Sequence, residues 1–257
     1  NGDINSLASR SMNERLDLLN LASAESYAQI EPTIGMLIFN WDEDEETRFF
    51  TDLRVREALQ ISLNRENPIA SVLNNRAVMA DSPLHPDSWA YNNTYSYPVT
   101  NPARAFDLFE NATITVPEDT DLGNFLYRFS ILIPDNPDLV AIAQNIASQW
   151  GQYNLDVTVE AVSSEVYQER LVRGDFDTAI VEYVLGADPD VFAYWHADQY
   201  PSGLNYGAVS DSRVSEILER GRQTVSNLSR IEIYRDFQAQ FINQVIALPL
   251  YYPLYTY

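Results

Sequence analysis

Hydrophobic positions repeat along this chain with two periods. After Asn136-Pro137 they fall at Leu139, Ile142, Ala143, Ile146 and Trp150, one face of a helix, with Asn placed as cap, Pro at the first helical position and Gly151 as the stop. The segment Leu155 to Ala161 alternates strictly between apolar and polar residues and predicts a strand with one buried face. Apolar runs of strand length flank this pair at Leu126 to Ile133 and Phe176 to Tyr183, and a second amphipathic segment, Ser164 to Val172, leads through Gly174 into the later run. The order is strand, helix, strand, helix, strand. Right-handed crossovers then set the three strands parallel in one sheet, with helices packed against it.

Upstream, Thr33 to Asn40 reads as a strand, Trp41 to Glu46 as a solvated acidic connection, and Asp52 to Leu63 as a helix that buries Val55, Ala58, Leu59 and Leu63. Asn67-Pro68 opens a further short helix. Between Asp81 and Pro102, prolines and aromatic residues follow one another without period, which predicts a long ordered loop held down by its aromatics. Downstream, Asp211 to Val225 presents Val214, Ile217, Leu218 and Val225 on one face. Leu228 to Val245 forms a second long helix, with Ser229 and Glu232 as a capping box and Leu228 and Ile233 as a hydrophobic staple. The apolar, β-prone run from Val245 to Tyr255 reads as a closing strand.

Of the 257 residues, 46% are hydrophobic and 12% aromatic, a globular composition long enough for one large domain or two small ones. Acidic residues number 37 against 16 basic ones, a formal net charge of -21, so the surface repels phosphate backbones and anionic lipid head groups. Nucleic acid and membrane surfaces are therefore poor partners. Every basic residue is arginine, and an acidic surface without lysine suits salty or extracellular settings. Cysteine is absent, which removes disulfides, thiol nucleophiles, iron–sulfur clusters and thiolate zinc sites. No run of roughly 18 apolar residues offers a membrane span. The start, Asn1-Gly2-Asp3, shows neither an initiator Met nor a signal peptide, so a soluble chain whose start is cut is expected.

Motifs for chemistry are sparse. The two histidines, His85 and His196, have no partner at metal-ligand spacing, and neither GxSxG, GxGxxG nor a phosphate-cradling loop occurs. Asp119, Asp121 and Gly123 partly match a calcium loop, but the glycine falls one place early and Ser130 stands where a bidentate Glu is needed. No metal and no cofactor are expected. The segment Glu182 to Trp195 is more informative, because in open parallel sheets ligands collect beyond the carboxyl ends of the strands. It supplies Glu182, Tyr183, Gly186, Asp188, Asp190 and Trp195 as candidate solute contacts, with Asn205 beyond them. Asp188 reads first as a helix cap, with Pro189 at the first helical position, and second as a contact.

Several segments carry a family resemblance in order. Phe39-Asn40 precedes the acidic connection. The run Asp52 to Leu59 with Asn64-Arg65-Glu66 is similar to a "DxRVRxAL … DRE" pattern, and Asn101-Pro102-Ala103-Arg104-Ala105 to a "DPxKA" helix start. Tyr167 to Asp177 (YQERLVRGDFD) matches "Y…L..GDFD", and Asp188-Pro189-Asp190 matches a "DPD" loop. The Arg230 to Phe237 helix and Ala247 to Tyr251 match "R…Y…Q" and "iPLY". Together they cover nearly the whole chain and resemble the second half of the peptide-type, family 5, solute-binding proteins of bacterial ABC importers.

That resemblance implies an α/β fold, a type II periplasmic-binding-protein lobe whose mixed sheet has a parallel βαβ core and flanking helices. It implies a main lobe over 34–244, with 1–33 and 245–257 passing toward a second lobe. It also implies a monomer in an extracytoplasmic location, periplasmic or as a cell-surface lipoprotein. The implied role is capture of an oligopeptide, or as second choice an oligosaccharide, by hinge closure, and delivery to ABC permease subunits. In peptide-binding members an acid just upstream of DPD holds the ligand's α-amino group; here those positions hold Leu185 and Gly186, and Glu182 is the nearest preceding acid. Two other readings compete. One is a carboxylate-pair glycoside hydrolase drawing on Glu182, Asp188 and Asp190, although carboxylates at a helix start make poor general acids. The other is a stand-alone extracellular interaction domain.

Overall fold

A computed structural model describes residues 27–42, 48–74, 76–95, 97–112 and 122–256. The N-terminal segment 1–26, most of the acidic connection and the Asp119–Asp121 stretch lie outside the described residues. The strands are β1 (Ala28–Ile30), β2 (Thr33–Phe39), β3 (Ala77–Met79), β4 (Tyr127–Pro134), β5 (Leu155–Val162), β6 (Thr178–Val184) and β7 (Ala247–Thr256). The helices are α1 (Leu53–Ser62), α2 (Glu66–Ser71), α3 (Pro102–Asn111), α4 (Pro137–Gly151), α5 (Ser164–Arg173), α6 (Phe192–Trp195), α7 (Ser212–Gln223) and α8 (Asn227–Asn243).

All seven strands join one sheet in the order β1-β7-β2-β6-β4-β5, with β3 also on β7. Strand β4 runs parallel to both β5 and β6, and α4 and α5 make the crossovers. Strand β2 then pairs antiparallel with β6, from Thr33 opposite Val184 to Phe39 opposite Thr178, and with β7 on its other side. The parallel βαβ core is the one the residue pattern predicts, and the mixed sheet around it is the one the family resemblance implies.

Both faces are covered, and β2 shows why its sequence, TIGMLIF, is almost wholly apolar. Ile34, Met36 and Ile38 enter the core beneath α5, α7 and α8, while Leu37 and Phe39 enter the core beneath α1, α3 and α4. In the latter core Phe49 stacks on Tyr127 with ring centroids 3.9 Å apart, Phe50 meets Phe129 edge-on at 5.3 Å, and the Trp150 indole donates to the Leu59 carbonyl at 3.1 Å. Trp150 is fully buried, so truncating it to alanine removes about 3–5 kcal/mol.

The motif residues turn out to be fasteners. Arg56 is buried and donates to the carbonyls of Phe50, Thr51, Gln244 and Val245, stacked 3.8 Å over Trp41. Burial lowers its pKa to about 10. Asn40 donates to the carbonyls of Gly174 and Phe176, tying the end of β2 to the GDFD turn, where Asp177 accepts from the Ser130 backbone and hydroxyl. Gln238 on α8 is the staple of the 81–102 loop. It accepts from Ser82 Oγ and Asn92 N and donates to Ala90 O. The loop is ordered as its aromatics predict, with Tyr91 donating to Asp81 and Tyr97 to Ala247 O.

Three local expectations need correction. Helix α8 starts at Asn227 with Ser226 as its cap, so Ser229 donates its N–H to that cap and Glu232 pairs with Arg235 instead of closing a capping box. With the start displaced, Leu228 is 79% exposed and forms no staple. Helix α7 ends at Gln223, which leaves Val225 in the turn and 96% exposed. Asp188 caps no helix: α6 begins at Phe192, and the Asp188 Oδ1 accepts from Asp190 N in a local turn.

Candidate functional site

The sheet's two faces are closed by helices, but its cover ends where β6 runs on toward Val184. There the alternation of the strand places Tyr183 and Leu185 in the core and leaves Glu182 and Val184 exposed on the opposite face. Beside Glu182 lies a cavity of about 310 Å3, at the lower end of the size of ligand sites, roughly 300–1,000 Å3. Asn136, Asp138 and Leu139, at the start of α4 just after β4, form one wall, and Leu73, Arg76, Pro253 and Leu254 another. This is the carboxyl edge of the parallel strands, where the topology collects ligands.

The floor of the cavity is built by a glycine. Gly35 of β2 stands between Glu182 on β6 and Tyr251 on β7 in one cross-strand row. The Tyr251 ring lies across the glycine so closely that a Cβ there would sit 2.5 Å from the ring's Cζ. Laid flat over β2, the tyrosine reaches the next strand and donates its hydroxyl to Glu182 Oε1 at 3.1 Å. On the wall, Arg76 donates to Leu73 O at 2.9 Å and to Asp138 Oδ2 at 3.1 Å, while Asn136 caps α4 by accepting from Asp138 N and Leu139 N.

Of the residues expected to touch solute, Glu182 lines this cavity. Tyr183, Trp195 and Asn205 are interior, at 4%, 2% and 1% exposure. Tyr183 packs against Tyr194 and Trp195, and Trp195 meets Phe241 edge-on at 4.9 Å. Asn205 spends its side chain on His196 O and on both backbone groups of Val209. Gly186 is exposed in the loop. Asp188 and Asp190 are held by arginines: Arg230 grips both oxygens of Asp188 at 2.6 and 2.8 Å, and Arg222 reaches Asp190 at 2.9 Å. Hydrogen bonding to Arg230 holds the Asp188 carboxyl below its ordinary range. An acid kept ionised in this way cannot serve as a proton donor, which disfavours the hydrolase reading.

Arg76, Asn136, Asp138 and Tyr251 were not among the candidates. The one local signal was Gly35, a glycine inside an otherwise apolar strand, a mark of close approach by a neighbouring group.

Among the described residues no helix is long and apolar enough to cross a membrane, and no three His, Asp or Glu side chains are grouped to hold a metal ion. The profile of the bacterial extracellular solute-binding proteins, family 5 Middle, matches residues 1–203. Di/tripeptide-binding protein 1 of Pseudomonas aeruginosa is 23% identical over 206 residues, covering 78% of this chain and 37% of its own length. The oligopeptide-binding protein AppA of Bacillus subtilis is 24% identical over 234 residues, covering 86% of this chain and 42% of its own. The structure of that AppA in complex with a nonapeptide superposes with a TM-score of 0.83 at 19% identity, over 95% of this chain and 50% of that one. The chain thus spans half or less of the length of these relatives.

Proposed function

From a chain that belongs to the bacterial extracellular solute-binding proteins of family 5, we propose one lobe of an extracytoplasmic receptor that captures a peptide or similar small solute and delivers it to a membrane permease. The observation that carries this reading is the cavity at the carboxyl edge of β4 and β6, with a carboxylate fixed on a strand rather than on a loop. The names of the relatives favour peptides over oligosaccharides as the solute. In this reading 34–244 is the main lobe and 1–33 and 245–257 lead toward its partner lobe; because Ala247 to Pro249 pair with β2 inside the sheet, the passage itself begins only beyond them, at β1 and the end of β7. The pairing of Ala28 with Thr256, which makes the two segments leave side by side, supports that division.

Binding is then shared between two walls. A micromolar receptor has about 8 kcal/mol to share, and half of it leaves roughly millimolar affinity on either wall alone. Calorimetric titration with di- to pentapeptides and with oligosaccharides tests this on the 257-residue chain and on the protein extended to the length of its relatives. Peptide heat at micromolar concentration is expected only from the extended protein. Micromolar binding by the chain alone, or no binding by either, overturns the reading.

A further inference from the structure

We infer that the fold is salt-dependent: its excess negative charge works against the compact state, and dissolved salt relieves it. If each of the 16 arginines neutralised one of the 37 acidic residues, 21 carboxylates would remain. Fewer cations than that face the surface acids. Arg56 is buried on the carbonyls of Phe50, Thr51, Gln244 and Val245, and Arg65 donates to Ala80 O at 2.6 Å and to Pro249 O at 2.8 Å, stacked 4.1 Å from the centre of the Tyr97 ring. Like charges also meet along the helices, as where the exposed Glu232 and Asp236 stand four residues apart on α8.

Attraction and repulsion differ in reach. The attractions are short: Arg230 holds both oxygens of Asp188 at 2.6 and 2.8 Å, Arg222 both of Asp190 at 2.9 and 3.1 Å, and Arg54 both of Asp52 at 2.6 and 3.1 Å. Two-point grips of this kind need the planar guanidinium fork, which lysine lacks. The repulsion is long. A compact chain of 257 residues has a radius of gyration of about 18 Å, while the Debye length is about 30 Å at 0.01 M salt and about 3 Å at 1 M. In dilute salt each excess carboxylate is felt across the whole molecule, whereas at 1 M only charges in contact interact. Salt therefore removes the repulsion first and leaves the bidentate pairs. Unfolding spreads the same charge over a radius of gyration of about 56 Å, so dilution of salt favours the unfolded chain.

The test is urea unfolding of the 257-residue chain, followed by circular dichroism at a series of NaCl and KCl concentrations; urea is uncharged and leaves the ionic strength to the added salt. Wild type is compared with the triple variant Asp87→Asn, Glu110→Gln, Asp236→Asn, three exposed carboxylates away from the cavity. The wild-type midpoint is expected to rise by about 1 M urea or more between 0.01 and 1 M NaCl, and equally in KCl, because screening follows ionic strength and not the identity of the cation. The variant is expected to exceed wild type at 0.01 M and to coincide with it at 1 M, since it removes repulsion that concentrated salt already screens. Loss of the fold at 0.01 M and its recovery on adding salt supports the inference in the same way. A midpoint that stays level or falls with salt overturns it, because the ion pairs then outweigh the repulsion. An equal rise in variant and wild type overturns it too, since salt then acts through apolar burial and not through charge. So does a rise with one cation only, the mark of a bound ion, or a chain unfolded at every salt concentration.

Discussion

Replacing Gly35 with alanine tests the floor of the site at its narrowest point. The backbone there is ordinary extended chain, so a methyl group meets no conformational barrier and the whole effect comes from what it touches. An ideal Cβ would lie 2.5 and 2.6 Å from Cζ and Cε1 of Tyr251, about 1 Å inside carbon contact distance. The ring must lift, an overpacking cost of about 1–3 kcal/mol. Lifting it also breaks the bond to Glu182, which adds roughly 1 kcal/mol because the acceptor is charged but partly solvated. Alanine gives back roughly 0.5–1 kcal/mol by restricting the unfolded chain. The net expectation is a loss of about 1–3 kcal/mol, read as a lower urea midpoint by circular dichroism with an unchanged slope. The decisive control is the same substitution in a Tyr251→Leu background. With the ring gone, alanine should become neutral or stabilising, a reversal of sign that only direct contact between the two residues produces. An unchanged midpoint in the wild-type background, or an equal loss in both backgrounds, refutes the argument.

Two further substitutions probe the fasteners around the site. The Asp188 carboxyl is held below its ordinary range by its hydrogen bonds to Arg230, so its contribution is present above the unfolded value near 3.9 and disappears as pH falls through the folded value. Because the side chain is about half exposed, Asp188→Asn should cost no more than about 1 kcal/mol at pH 7, and the difference from wild type should shrink as pH falls below the unfolded value; a difference that grows on acidification contradicts this. Gln238→Leu keeps the volume but strands Ser82 Oγ, Asn92 N and Ala90 O in the interior, and should cost about 3 kcal/mol with faster exchange at the Asn92 amide. Unchanged protection at Asn92 would show that the loop is held by other contacts.

Elements with a strong period were legible because a single local rule decides them. The face of α4 and the alternation of β5 are visible in the residues themselves, and the crossover rule then places β4, β5 and β6 in parallel. Strands β1 and β3 were not legible: three residues carry no period, and both exist only because β7 is long enough to offer pairing on each side. Helix starts failed where two candidate caps lay within one turn, as with Ser226 and Ser229. At the site, sequence reasoning reached Glu182 by its position near the end of a parallel strand. It missed Tyr251, Arg76 and Asp138, which come from β7, from just before β3 and from α4, and are brought together by tertiary contacts between positions far apart in the chain. Tyr183 and Trp195 show the opposite difficulty. An aromatic residue near a ligand edge has the same identity whether it faces the cleft or the core; for Tyr183 the parity of β6, with 183 and 185 inward, decides, and for Trp195, on α6, its packing against Tyr183 and Phe241 does.

That parity also bears on which side of β6 can be altered without disturbing the fold. The 186–191 loop, the segment a reader of the sequence would mutate first, is tied down by Arg222 and Arg230 from α7 and α8, and the Tyr194 hydroxyl fastens the end of β6 at Val184 O. Altering it disturbs those ties before it alters a contact. The cavity side of the sheet offers the reverse situation. Glu182 and Val184 project from a strand whose backbone is already paired with β2 from Thr33 to Phe39, so their positions are set by the ladder and not by their own side chains. A substitution at Glu182 changes the chemistry presented to the cavity while the ladder hydrogen bonds remain. On the proposed solute-binding reading, the chemistry facing the cavity can therefore vary at Glu182 with the ladder intact, whereas at Gly35 it cannot, because any side chain there displaces the tyrosine that orients the carboxylate.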